Sequence, residues 1–203
     1  MKALILPCTP SECEKIVNGD MSILVRKKVP KESNLPIKIY IYCGKTYSEN
    51  VLLIDKETKE AYFGDYRNGC CCDIDGYVDC FIADDNVIGE FICDKVDKYE
   101  PHVILCAYYE VNGADVKENM RYNKGTCLSY EDMVKKSNGK PVYGVRISDL
   151  KIYDEPKEWS EFRACDGNCN HCKHRIVNPN DVGDVRCENI VTRPPKNYIY
   201  VEE

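Results

Sequence analysis

The chain has 203 residues, 43% hydrophobic and 31% charged, enough to bury a sizeable core without cross-links and to form one domain with an appendage. Its net charge of −6 and pI of about 5.3 exclude a generally basic surface of the kind that coats nucleic acid, while leaving room for a small basic pocket. No stretch approaches the ~20 apolar residues of a membrane span.

In chain order, "ALIL" (3–6) reads as a short apolar strand. "TPSE" (9–12) then announces a helix. Thr9 caps it, Pro10 fits the first turn, and Glu12 completes a capping box. Cys13, Ile16 and Val17 have the spacing of one buried helical face, and Gly19 is placed to end the helix. "SILVRKKV" (22–29) is a strand that turns basic. "PIKIYIYC" (36–43) is the cleanest strand, with Ile37, Ile39, Ile41 and Cys43 on one face and Lys38, Tyr40 and Tyr42 on a polar one. "VLLIDKETKEAYFG" is a hairpin with a charged tip, and "NVIGEFICDKV" (86–96) is a strand in which Gly89 marks a bulge or a close approach. "SYEDMVKK" is a short helix capped by Ser129, and "PVYGVRISDLKIYD" (141–154) supplies one or two further strands.

Many short strands and few helices predict a mainly β protein built on a small barrel. Composition shifts at about residue 158, so the expected organisation is a β-rich body over 1–157 and a Cys-rich tail over 158–203 packing on it. "MKALILPC" has neither the apolar core nor the cleavage site of a signal peptide. The expected location is therefore cytoplasmic, where thiols stay reduced and clusters of cysteine more often hold metal than disulfides.

Of fourteen cysteines, eight fall into two clusters. In the tail, "CDGNCNHCKH" and "DVRCEN" give Cys165, Cys169, Cys172 and Cys187, with His171 and His174 as substitutes. Close thiolates on tight turns suit tetrahedral Zn²⁺, and four protein ligands make the site structural rather than catalytic. The metal would then supply the folding energy that this apolar-poor segment lacks. The competing reading is reduced surface thiols or a disulfide pair. In "CCCDIDGYVDC", Cys70, Cys71, Cys72 and Cys80 read better as buried small side chains than as ligands. A metal site drawing on Cys70, Cys72 and Cys80 is the alternative.

Three segments, "MKALIL…PSECEKIVNGDMSILVRKK", "IYIYC" and "NVIGEFICDKV", resemble in that order the ASCH domains of the PUA-like superfamily. The nearer resemblance is to ASCH-like proteins of Firmicutes and their phages, through "LSYED", "ISDLKIYDEPKE" and a Cys-rich end closing on "RPP…YVEE". It covers most of the chain and is weakest over about 46–85, which reads as a divergent hairpin insertion. The resemblance implies a PUA-like β-barrel with a cleft beside the first helix and binding of RNA or a modified nucleotide. It also implies a G-x-K-x-x-x-x-R segment with its Lys in the cleft. Here that segment runs from Gly19 to Arg26: the Arg is kept, and the Lys has become Met21. Some ASCH proteins resemble amidohydrolases acting on acetylated cytidine through a Lys, a Thr and a Glu. At the first two positions this chain has Met21 and Leu24, neither of which can move a proton or attack a carbonyl.

Arg26 is thus the leading candidate for a ligand contact, its guanidinium offering a planar fork to phosphate or a base edge. Strand alternation puts Lys28 on its face, and Ser22 completes the expected cleft floor. Tyr40 and Tyr42 are candidates for base stacking, with Tyr143 and Arg146 weaker ones. The bland alternative is a solvated strand end and packed tyrosines. The expected function is non-catalytic binding of RNA or a modified nucleotide or nucleoside. Two rivals are an amidohydrolase on modified nucleosides, with Lys27 or Ser22 taking over, and a phage-encoded regulator that meets a basic protein partner. No phosphate loop, G-x-G-x-x-G, H-E-x-x-H or G-x-S-x-G motif occurs.

Overall fold

A computed structural model describes residues 2–31, 34–46, 50–65, 72–73, 76–77, 79–102, 104, 125–163, 191, 194 and 196–202. The four tail cysteines, Cys70 and Cys71 lie outside them.

The protein is mainly β. β1 (Lys2–Cys8) leads through α1 (Pro10–Val17) and β2 (Ile23–Arg26) to β3 (Ile37–Cys43), which returns parallel to β1. The hairpin β4 (Asn50–Asp55) and β5 (Ala61–Asp65) follows, then short β6 (Cys72–Asp73), β7 (Gly76–Tyr77) and β8 (Cys80–Ile82). β9 (Asn86–Cys93), β10 (Val96–Tyr99), α2 (Tyr130–Ser137), β11 (Val142–Arg146), β12 (Ser148–Glu158) and β13 (Ile199–Glu202) complete the order. The central sheet runs β12-β9-β3-β1-β13, and three-stranded sheets β10-β11-β2 and β5-β4-β8 flank it. Among the described residues these sheets do not close into one hydrogen-bonded barrel. No described helix is long and apolar enough to cross a membrane.

Local chemistry accounts for the elements. The Thr9 hydroxyl accepts from Glu12 N at 3.2 Å while the Glu12 carboxylate accepts from Thr9 N at 3.0 Å, so the capping box forms. Gly19 takes φ +79° one residue past the helix C-cap, Asn18, a conformation open to glycine. Gly89 does both things its context suggests. The ladder slips between Ile41 and Tyr42, leaving Ile88 as the extra residue of a bulge. On the other side, a Cβ at Gly89 would stand 2.5 Å from the Lys151 carbonyl oxygen.

β1 and β3, in the middle of the central sheet, are buried on both faces, which corrects the polar face expected of β3. Leu4, Leu6, Ile37, Ile39, Ile41 and Cys43 join the main core against α1 and the hairpin. The opposite face carries Ala3, Ile5, Tyr40, Tyr42 and Val201 in a second core with Tyr153 and Phe162. Burial on both sides is why β1 reads as a continuous apolar run rather than an alternating one. β2 alternates as its spacing requires: Leu24 enters the main core, and Val25 packs with Met133 of α2.

Candidate nucleic-acid interface

Arg26 ends β2 with its side chain 14% exposed, turned toward α1. It grips Glu12 with both terminal nitrogens, Nη1 to Oε1 at 2.8 Å and Nη2 to Oε2 at 3.0 Å. It also donates to the carbonyls of Val25 (2.9 Å) and Pro7 (3.0 Å) and lies 3.4 Å from Cys8 Sγ. Burial alone would raise the Glu12 carboxyl. Arg26, Thr9 N–H and Lys136 together hold it below its ordinary range. The donors that made Arg26 a candidate are thus spent on α1 and β1, so its role is to fasten the start of the helix to the sheet.

Around that pair lies a thiol cluster. Cys8 and Cys43 are register partners across β1 and β3, and Cys13 reaches them from α1, all within the main core. A hydrogen bond from Cys13, aided by Arg26, holds the Cys8 thiol below its usual value despite burial, whereas burial and both neighbours push Cys13 up. Among the described residues no set of three or more His, Cys, Asp and Glu is arranged to hold a metal ion. Cys8, Cys13, Cys43, Cys93 and Cys127 are free. Cys80 is disulfide-bonded, which corrects its reading as a reduced buried thiol and removes it from any metal set with Cys70 and Cys72.

The other expected contacts separate. Tyr40 is 8% exposed and packs its ring 4.8 Å from that of Phe162. Tyr42 is 3% exposed and its hydroxyl bonds Asp85; burial and that bond push it above its ordinary value. Both therefore belong to the core and neither offers a ring face to a base, because Phe162, Val191 and β13 cover the face that the sequence presents as polar. Ser22 is exposed, but its backbone N–H donates to Gly125 O and its carbonyl accepts from Ile147 N, each at 2.9 Å. Met21 and Leu24, at the positions where the resemblance implies Lys and Thr, are core residues.

Lys28 stands elsewhere. β2 ends at Arg26, so strand alternation no longer separates the next residues, and Lys27 and Lys28 both line one groove. Val29, Pro30, Lys31, Val96, Lys98, Tyr143 and Tyr198 complete its walls around a volume of about 440 Å³. Register places Lys98 opposite Tyr143 and Tyr143 opposite Arg26, so the groove opens directly beside the Arg26 anchor. Lys98 pairs with Glu100 at 2.5 Å. Among the described residues no ion pair engages Lys27, Lys28 or Lys31. Tyr198 is held by its hydroxyl, which donates to Val29 O at 3.2 Å, and by an edge-on contact with Tyr200. The run "RKKVPK" signals part of this groove in the sequence. Lys98 and Tyr198 join it only through the fold.

No family model and no curated protein sequence matches the chain. Solved structures do. A point mutant of ZmASCH from Zymomonas mobilis, with Phe in place of a Tyr, aligns over 100% of this chain and 92% of its own, with a TM-score of 0.50 and 12% identity. The fold is ASCH-like. ASCH from Zymomonas mobilis without that substitution aligns over 99% and 88% at a TM-score of 0.47 and 13% identity. The N-terminal domain of Staphylothermus marinus McrB aligns over 84% and 82%, at a TM-score of 0.33 and 12% identity. At these identities the likeness concerns architecture alone; the cleft that the resemblance in sequence implies lies beside α1, toward β2. What fills the space between them here is the Glu12–Arg26 pair and apolar Met21 and Leu24.

Proposed function

We propose that the protein binds RNA or a modified nucleotide without altering it, at the groove that Lys27, Lys28, Lys31 and Lys98 line. The observation that supports this is a local excess of ammonium groups beside two tyrosine rings, on a chain whose net charge is −6. Three of the four ammoniums lie outside any ion pair among the described residues, while Lys98 is held by Glu100; like charges so gathered raise the electrostatic energy of the free protein, and a phosphate-bearing ligand relieves it. Tyrosine rings then add stacking that is indifferent to base identity. The non-catalytic reading is supported by Met21 and Leu24 lying in the core, where the amidohydrolase-type arrangement needs a proton carrier and a nucleophile.

In this reading Lys28 contacts the ligand and Arg26 fixes the wall from which Lys27 and Lys28 project. The test is a titration of labelled RNA at two salt concentrations with wild type and Lys28→Ala. Affinity that falls with salt, with a slope about 0.7 shallower in the variant, supports Lys28 neutralising one phosphate. Binding of equal affinity and slope in both proteins refutes the groove as the binding surface.

A further inference from the structure

We infer that the groove takes a single-stranded stretch of nucleic acid bearing more than one phosphate, with unpaired bases on Tyr143 and Tyr198, an inference that rests on the binding reading above. Three features of the groove select this occupant. The first is the number and spread of its charges. Lys27, Lys28 and Lys31 come from the β2–β3 connection, and Lys98 comes from β10 on another strand. With three of the four outside any ion pair among the described residues, the ammoniums outnumber what one phosphodiester neutralises. Successive phosphates of one chain match a row of separated ammoniums better than a single phosphate does.

The second feature is the lining between the charges. Val29, Pro30 and Val96 form an apolar surface next to the rings of Tyr143 and Tyr198. An apolar and aromatic lining gains nothing from a duplex, whose base faces are stacked on one another and whose exterior is phosphate and sugar. An unpaired base buries its face there and gains the contact. The third is size. A volume of about 440 Å³ lies in the range of small-molecule sites, so the groove holds on the order of one or two nucleotides while the flanking chain continues over exposed Lys27, Lys28 and Lys31. Tyr198 is prepared for this role, since its bond to Val29 O fixes the ring before any ligand arrives.

The neighbouring acids set a boundary. Glu100 holds Lys98, and Asp97 holds Arg146 at 2.7 Å and Lys95 at 3.1 Å, so the cationic row ends at β10 and a strand leaving the groove on that side meets cations already paired with carboxylates.

The experiment is fluorescence anisotropy with end-labelled six-nucleotide single-stranded RNA, single-stranded DNA of the same sequence, and a blunt six-base-pair RNA hairpin closed by a hexaethylene glycol spacer, which offers no unpaired base. Unlabelled uridine monophosphate and inorganic pyrophosphate serve as competitors. Single strands should bind at least tenfold tighter than the hairpin. Tyr143→Leu should weaken single-strand binding about 5- to 100-fold with the salt slope unchanged, and Tyr143→Phe, which keeps the ring, should restore it. Equal affinity for hairpin and single strand, or no effect of Tyr143→Leu in a folded variant, overturns the single-strand inference while leaving anion binding at the groove intact. Competition by uridine monophosphate or pyrophosphate as strong as by the unlabelled hexamer overturns the claim of several phosphates on one strand. Binding of none of these probes by a wild type with a cooperative melting transition overturns both this inference and the reading beneath it.

Discussion

Replacing Glu12 with Gln leaves the Arg26 guanidinium charged and largely enclosed. In the native protein Arg26 and Glu12 are 14% and 17% exposed, so solvent screens their pairing only partly. Breaking a buried pair by removing one charge costs on the order of 3–5 kcal/mol. Two compensations reduce that figure here: Arg26 keeps the carbonyls of Pro7 and Val25, and the Gln amide oxygen can still accept from Thr9 N. The expected loss is about 2–3 kcal/mol, read as a lower urea midpoint at unchanged slope at pH 7. The double variant Glu12→Gln, Arg26→Met removes both charges and should recover part of it, giving a coupling energy of about 1 kcal/mol or more. The pH dependence has a definite sign. Glu12 is held below its ordinary value of 4.5 in the folded state, so its stabilisation is present above that value and is lost as pH falls through the lower folded one. The gap between wild type and Glu12→Gln should therefore narrow on acidification below about pH 5. A loss under about 0.5 kcal/mol at pH 7, of the size seen for an exposed pair, or a gap that widens in acid, would refute the anchoring role.

Other expectations are simpler. Gly89→Ala should destabilise by roughly 1–3 kcal/mol in thermal melts, because its Cβ would stand 2.5 Å from Lys151 O, a backbone atom that cannot swing away. Tyr40→Ala should cost about 3–4 kcal/mol of stability, seen in urea melts, through loss of its packing on Phe162, and should leave RNA affinity within about twofold; a binding loss in a folded variant would return Tyr40 to the interface. For the tail, we propose that Cys165, Cys169, Cys172 and Cys187 hold one structural Zn²⁺, with their spacing in the sequence as the support. Elemental analysis should find about one zinc per chain, lost in Cys169→Ser, and wild type that carries none after expression in zinc medium would end that proposal.

Local rules made much of the fold legible. The capping box at Thr9 and Glu12, the C-terminal Gly19, the Ser129 cap and the bulge at Gly89 each depend on a few adjacent residues, and their chemistry acts whatever the rest of the chain does. The same locality explains where expectation failed. Tyr40 and Tyr42 alternate with isoleucines as a solvent face would, but alternation states only that two faces differ. What covers the second face is Phe162, Val191 and β13, which arrive from far along the chain. Arg26 stands in the sequence as a cation at a strand end, whereas the sequence presents its partner Glu12 only as a capping residue, since one carboxylate serving both tasks is a fact of three-dimensional placement.

By itself the sequence determined a mainly β body, its helix boundaries and the basic run from Arg26 to Lys31, because propensity, capping and charge are properties of neighbours along the chain. Tertiary structure alone decided which of those cations are buried in a pair and which line a groove. Packing β2 beside α1 consumed Arg26 in a buried pair, while the turn after β2 released Lys27, Lys28 and Lys31 toward Lys98, Tyr143 and Tyr198. A buried guanidinium must find a carboxylate and a solvated ammonium need not, and that difference in desolvation separates the anchor from the groove.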